Sequence, residues 1–331
     1  MVGARQKDVV FFEAFAEEQK LLKKFCPKHI RADFISATIQ ESSLKEPPAT
    51  FISIRTQSRI PAAWAQDLDG ILTRSTGYEH VLTYKERTRS SLALGYLPSY
   101  CARAVAEQAF LMIFSLLRKA KEQQKNFLSF DRDGLTGSEC QGKKILIVGV
   151  GRIGKEVARI ARGLGMKVLG VDIVRRHPSL DYVPLGRGLA WADVVVCACA
   201  LTDKTFGMLD HETLRRAKKG TVLINVARGE ISPLKDLKRL LDEKILGGLG
   251  LDVYENEEAV AQDLRSRRRA SPKTKIVLDL SKKDNVMFTP HNAFNTREAL
   301  ERKARQSFDS VISFLTRKKF PFPVPEEKHV K

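Results

Sequence analysis

GVGRIGKEVARIARGLGMKVLGVD (149–172) opens on three glycines spaced G-x-G-x-x-G and closes on an aspartate. The apolar run KKILIVGV leads into it, RIGKEVARIARGLG has helical periodicity, and KVLGVD is a second apolar run. Strand, tight turn, helix and strand make one βαβ unit. Within such a unit each glycine answers a separate need. Gly149 permits the tight turn, Gly151 lets the backbone approach an anion, and Gly154 lets helix and strand pack closely. The start of the helix offers unpaired N–H groups to that anion. Asp172, 18 residues beyond Gly154, stands where a carboxylate accepts hydrogen bonds from ribose hydroxyls. The stretch therefore predicts a dinucleotide site, and the carboxylate favours NAD over NADP by repelling a 2′-phosphate. Arg175 and Arg176 follow closely and blur that preference.

Working outward, the same alternation continues. ADVVVCACA, TVLINVA and GGLGLDVY read as strands, with HETLRRAKKG and SPLKDLKRLLDEK as helices between them. Continuous apolar strands separated by helices predict a doubly wound parallel α/β sheet (a Rossmann fold) covered on both faces. Upstream, DVVFFEAF, ADFISAT, ATFISIR and GILTRSTGYEHV read as the strands of a second, smaller α/β domain, flavodoxin-like in type, with EEQKLLKKF as a helix. CARAVAEQAFLMIFSLLRKAKEQQK reads as one long helix between the two, and TREALERKARQSFDSVISFLTRK as another that returns to the first domain. The expected division is 1–105 plus 296–331 for the smaller domain and 106–295 for the dinucleotide domain.

The chain has 331 residues, 43% of them hydrophobic, which suits two buried cores. No apolar run approaches the ~20 residues that cross a bilayer, and MVGARQKDVVFFEAF lacks the features of a signal peptide. The chain is read as cytoplasmic, with no membrane partner. Five scattered cysteines give neither a disulfide framework nor a metal spacing. Cys197 and Cys199, two apart in an apolar strand, share one face of it and read as buried thiols. The formal net charge of +18 favours anionic small molecules through a positive field. No specific nucleic-acid partner is expected. The densest basic run, RSRRRASPKTK (265–275), has no interleaved aromatics and reads as a surface loop, with IVLDL after it as a strand.

Ligands of such sheets sit at the carboxyl ends of the strands. Three short stretches place polar residues there: NVARGE with Arg228, GLDVYENEE with Asp252 and Glu257, and FTPHNAF with His291. Each alone is unremarkable on a solvated strand end. Together they combine a planar fork for a carboxylate, a group that trades protons near neutral pH, and a carboxylate to hold it.

RSTGYEH (74–80), PSYCARAVAE (98–107), GVGRIG (149–154), NVARGE (225–230), GLDVYENE (250–257) and TPHNAF (289–294) occur in an order and spacing that resemble the D-isomer-specific 2-hydroxyacid dehydrogenases, the D-lactate dehydrogenase branch above all. The resemblance implies an NAD-dependent enzyme that reduces pyruvate or a related 2-keto acid to the D-2-hydroxy acid, and the reverse. It implies that Arg228 binds the substrate carboxylate and keto oxygen, that His291 is the acid/base and that Glu257 holds it. It places backbone N–H groups of Thr76 and Gly77, and the side chain of Tyr100, on the substrate. Gly149, Gly151, Arg152, Ile153, Gly154, Asp172, Ala227 and Asp252 would line the cofactor, and no metal is called for. Members of the family are commonly homodimers.

Some details depart from that pattern. Ala200 stands where many relatives have proline, and Asn295 where many of the lactate branch have tyrosine. The alternatives are a reductase for a bulkier 2-keto acid, hydroxypyruvate or glyoxylate, and, in another class, a non-catalytic NAD-sensing protein of the co-repressor type.

Overall fold

The computed structural model describes residues 7–266 and 271–325. The chain forms two compact units. One comprises the residues up to Cys101 together with those from Asn295 onward, and the other is Ala102–Phe294.

The N-terminal unit runs β1 (Val9–Phe11), α1 (Ala16–Phe25), β2 (Ala32–Phe34), β3 (Phe51–Ile54), β4 (Gly70–Thr73), α2 (Glu79–Thr88) and β5 (Ala93–Tyr96). All pairs are parallel, in the order β2-β1-β3-β4-β5. This is the flavodoxin-like doubly wound order. One face of the sheet buries Val10, Ile52, Ile54, Ile71 and Trp64.

The second unit begins with α3 (Ala102–Leu117) and α4 (Ala120–Asn126). It continues through β6 (Lys144–Val148), α5 (Arg152–Gly163), β7 (Lys167–Val171), β8 (Asp181–Tyr182), α6 (Leu185–Trp191), β9 (Val194–Cys197), α7 (His211–Leu214) and β10 (Thr221–Asn225). It ends with α8 (Leu234–Asp242), β11 (Leu246–Leu251), α9 (Glu257–Ser266), α10 (Pro272–Ser281) and β12 (Val286–Phe288). Its seven parallel strands lie in the order β12-β11-β10-β9-β6-β7-β8. Counted from β6 this is the Rossmann order with one strand added, and the order reverses between β6 and β9, where such sheets bind dinucleotides. Strands β6, β9 and β10 are almost wholly buried, as a sheet covered on both faces requires.

The chain then returns to the first unit as α11 (Arg297–Arg317), which packs on α1. The Phe308 ring lies 5.4 Å from Phe11 and the Phe314 ring 4.6 Å from Phe51. Thr296 caps the helix, its hydroxyl accepting from the Ala299 N–H.

Several local expectations are corrected. IVLDL (276–280) is helical, within α10, not a strand. Ser271 caps that helix by accepting from the Thr274 N–H, Pro272 occupies its first turn, and Val277 and Leu280 face inward three residues apart. The basic run before it is no simple loop. Arg265 and Ser266 end α9, Pro272 opens α10, and Arg267–Ala270 lie outside the described residues. The long helix expected from Cys101 to Lys125 is two helices, divided at Lys119, which adopts φ +52°. HETLRRAKKG contributes only the short α7, and the strand in ADFISAT spans three residues.

Candidate active site

The quoted glycine stretch folds as its chemistry requires. β6 ends at Val148, Gly149 takes φ +92°, and α5 begins at Arg152. A Cβ on Gly149 would stand 2.4 Å from the backbone of Cys199, and one on Gly154 would stand 2.1 Å from the Gly149 carbonyl oxygen. Side chains are excluded at both positions. Gly151 is the opposite case, since nothing lies within 4 Å of where its Cβ would be. The first turn of α5 therefore faces open space across bare backbone, which fits an anion at a helix N-terminus. Arg152 is exposed and Ile153 half-buried at that turn. At the end of β7 the Asp172 carboxylate accepts from the Val150 N–H (2.7 Å) and the Val174 N–H (2.9 Å). These bonds fix it beside the turn, and the remaining lone pairs of its oxygens can accept ribose hydroxyls. The residues present fit a dinucleotide.

Across the same sheet, the ends of β10, β11 and β12 bring the polar groups together. His291 Nδ1 lies 2.9 and 3.1 Å from the two Glu257 oxygens. An ionised carboxylate only accepts, so Nδ1 carries the proton and Nε2 is the atom left for substrate. Glu257 opens α9, where a negative charge is favoured by the helix dipole. His291 adopts φ +49°. Its N–H donates to the Asp252 and Thr289 carbonyls, both at 3.0 Å. Arg228, half-buried after β10, sends Nη1 to the Ala227 carbonyl at 2.8 Å. A Cβ on the adjacent Gly229 would stand 2.0 Å from the Tyr254 carbonyl carbon, so the backbone carrying Arg228 is pressed against the chain that leads to Glu257.

Two supports are not evident from the sequence. Asn225 is fully buried. Its amide nitrogen donates to the Arg228 carbonyl (2.9 Å) and the Ser232 hydroxyl (2.8 Å), and its oxygen accepts from the Ala227 N–H (2.9 Å). It thereby sets the turn that presents Arg228 and Ala227. An amide closing the apolar strand TVLIN was the available signal. Asp252, expected beside the cofactor, is buried, and its carboxylate accepts from the Thr289 hydroxyl and the N–H groups of Asn292 and Ala293. It fastens the loop that carries His291.

In the N-terminal unit, Thr76 and Gly77 follow β4 in a loop braced from below. The Ser75 hydroxyl donates to the Gly77 carbonyl (2.6 Å) and the Leu97 N–H to the Ser75 carbonyl (3.1 Å). Arg74 is wholly buried. It donates from Nε to Glu18 (3.0 Å), from Nη1 to the Ser53 hydroxyl (3.2 Å) and from Nη2 to the Phe12 carbonyl (2.7 Å). Lys303 from α11, equally buried, reaches the same Glu18 oxygen at 2.8 Å. Burial alone would raise the Glu18 carboxyl, but the adjacent Arg74 and Lys303 outweigh it and hold the group at about 2. Tyr100 is buried, its ring 5.6 Å beneath the Lys303 ammonium. Burial pushes its hydroxyl well above the usual phenol range. Among the described residues no three His, Cys, Asp or Glu side chains cluster to hold a metal, and no helix is long and apolar enough to cross a membrane.

Residues 110–293 match the family model described as D-isomer specific 2-hydroxyacid dehydrogenase, NAD binding domain. The chain belongs to this family. Among similar proteins, a D-lactate dehydrogenase, kk1H, of Curvularia clavata is 33% identical over 72% of this chain and 69% of its own length. A glyoxylate reductase of Korarchaeum cryptofilum is 30% identical over 72% of this chain and 71% of its own. The crystal structure of the Aquifex aeolicus D-lactate dehydrogenase, complexed with NAD and lactic acid, aligns with a TM-score of 0.82 at 29% identity, covering 95% of this chain and 98% of that one. The D-2-hydroxyacid dehydrogenase described here is thus an NAD-dependent oxidoreductase with a Rossmann unit and a flavodoxin-like unit.

Proposed function

We propose that this dehydrogenase reduces pyruvate, or a 2-keto acid of similar size, to the D-2-hydroxy acid with NADH, and catalyses the reverse. The observation that carries the reading is the His291 Nδ1–Glu257 pair at 2.9 Å, on the same sheet end as Arg228. Bound NADH supplies the hydride that reduces C2. Arg228 grips the substrate carboxylate and polarises the keto oxygen through its planar fork. His291, protonated on both nitrogens, donates from Nε2 to the oxygen that becomes the hydroxyl, and Glu257 keeps the ring in line through Nδ1. In oxidation the neutral ring takes the proton back. The N–H groups of Thr76 and Gly77 are assigned to the substrate carboxylate and Tyr100 to the substrate side of its unit. Arg152, Ile153, Ala227 and Asp252 are assigned to the cofactor side with the three glycines and Asp172.

A glyoxylate reductase among the relatives favours glyoxylate as a second substrate. We place the enzyme in the cytoplasm as a homodimer. Leu111, Phe114, Phe127, Leu128 and Phe130 of the dinucleotide unit, with Leu128 91% exposed, offer an apolar surface for a second copy. The test is NADH consumption with pyruvate, phenylpyruvate, oxaloacetate, hydroxypyruvate and glyoxylate, with chiral analysis of the product and sedimentation of the enzyme. Fast turnover of pyruvate to D-lactate is the expected result. Turnover confined to glyoxylate or a bulkier acid would overturn the substrate, and an L-product would overturn the geometry.

A further inference from the structure

Cys197 and Cys199 have no part in the reaction, yet they sit at the reversal point of the Rossmann sheet. Their sulfurs are 3.8 Å apart. Cys197 is fully buried at the end of β9 and held from both sides: its carbonyl accepts from the Val226 N–H (3.2 Å), and the next residue, Ala198, donates to the Val148 carbonyl (2.8 Å). Cys199 is half-buried, one residue beyond that last bond. Its backbone N and Cα lie where a Cβ on Gly149 would fall, so the phosphate-binding turn is seated directly on Cys199.

We propose that this thiol pair is a modification site for hydroperoxides, closing to a Cys197–Cys199 disulfide that disables the dinucleotide turn. The Cys199 sulfur attacks the peroxide. An S–O bond forms, the O–O bond breaks, and the departing oxygen takes a proton and leaves as water or an alcohol. Cys197 then gives up its proton and attacks the Cys199 sulfenic acid, so that S–S forms, S–O breaks and water leaves. Two thiols lose two electrons to one peroxide, and a dithiol reductant reverses the change. The division of labour agrees with the surroundings. The hydrogen bond between the two thiols holds Cys199 below its usual range against burial, while the same bond, reinforced by burial, pushes Cys197 well above it.

The geometry gives the consequence. Two residues of extended chain span about 6.6 Å, near the upper limit of about 6.8 Å between bridged Cα atoms. The sulfurs must close from 3.8 Å to about 2 Å. The sheet anchors Cys197, so Cys199 is the partner that moves, and Gly149 has no slack against it.

The experiment treats the full-length protein with increasing hydrogen peroxide. The peptide Gly188–Lys204, which carries both cysteines and no other, is followed by mass after alkylation, and NADH affinity by fluorescence titration. The expected result is loss of two hydrogen masses from that peptide. The NADH Kd should rise by about tenfold or more, with dithiothreitol restoring both. Cys199→Ser and Cys197→Ala, each compared with its own untreated affinity, should hold their Kd under the same treatment. Oxygen addition without the disulfide, a disulfide with unchanged Kd, or a loss of affinity that persists in both variants would each overturn the proposal.

Discussion

Lys303 is a cation with no exposed side-chain surface, sharing one Glu18 oxygen with Arg74. Burial drives its ammonium down to about 7 from the ordinary 10.5, Glu18 opposing and Arg55 and Arg74 adding to the fall. The informative change is Lys303→Met, similar in length and uncharged. Because the folded value lies below the unfolded one, the unfolded chain binds more protons between these limits, and Lys303 makes the wild type gain stability as pH rises. The slope is about 1.4 kcal/mol per pH unit, or about 2 kcal/mol from pH 7 to pH 9. The variant lacks that slope and keeps the Glu18–Arg74 bond. It should match or exceed the wild type at pH 6, since a hydrophobic residue often replaces a buried ion without loss. Its advantage should shrink by about 2.5–3 kcal/mol between pH 6 and pH 9. Glu18→Gln is the contrasting change. It leaves Arg74 and Lys303 without their anion and should cost about 3–5 kcal/mol. The two tryptophans make the assay specific, because Trp64 lies in the N-terminal core and Trp191 in the dinucleotide unit. In a Trp191→Phe background, urea unfolding followed through Trp64 reads the N-terminal unit. If wild type and Lys303→Met shift in parallel across pH 6–9, within about 0.5 kcal/mol, the reasoning is wrong.

His291→Asn, chosen because asparagine accepts the left-handed backbone, should lower kcat on the order of 10²–10⁴-fold with NADH affinity unchanged by fluorescence titration; a kcat near wild type would remove His291 as the acid/base. Arg228→Lys should reduce kcat/KM on the order of a hundredfold, because a point charge does not replace the fork, and steady-state kinetics decide it. Gly229→Ala forces the backbone off the Tyr254 carbonyl and should cost about 1–3 kcal/mol together with activity; an unchanged thermal midpoint would show that the contact is not binding. Asp172→Ala should bring the Kd values of NADH and NADPH closer together, and a preserved ratio would point to another ribose acceptor.

The glycine stretch was legible because each position is fixed by backbone space that no other residue fits: Gly149 by its φ, Gly154 by the carbonyl beneath it. Arg228 and His291 were legible as polar groups just beyond apolar strands, and Glu257 as an acid in the segment that follows β11. IVLDL was not, since so short an apolar run suits strand and helix alike, and only Ser271-Pro272 hinted at a helix start. The break at Lys119 carries no glycine or proline to announce it. The tethers on Asn225 and Asp252 are matters of side-chain direction, which spacing does not encode. Glu18 and Lys303 lie 285 positions apart, and no local pattern joins them.

The return of α11 to the first unit orders events during synthesis. On the ribosome the N-terminal strands are made before the Rossmann unit, and Phe11 can stack on Phe34 at once, but Phe51 gains its aromatic partners only when Phe314 and Phe320 emerge, and Phe11 its second only with Phe308. The edge pairings of Leu94 and Tyr96 wait for Val324 and Phe322. The Rossmann unit, by contrast, is complete at Phe294 and can fold while the first hundred residues still show an uncovered apolar sheet. A nascent chain stalled or truncated before α11 would thus present a finished nucleotide-binding unit tethered to an adhesive one. Chaperones and proteases would meet such a chain chiefly through the strands that α11 covers.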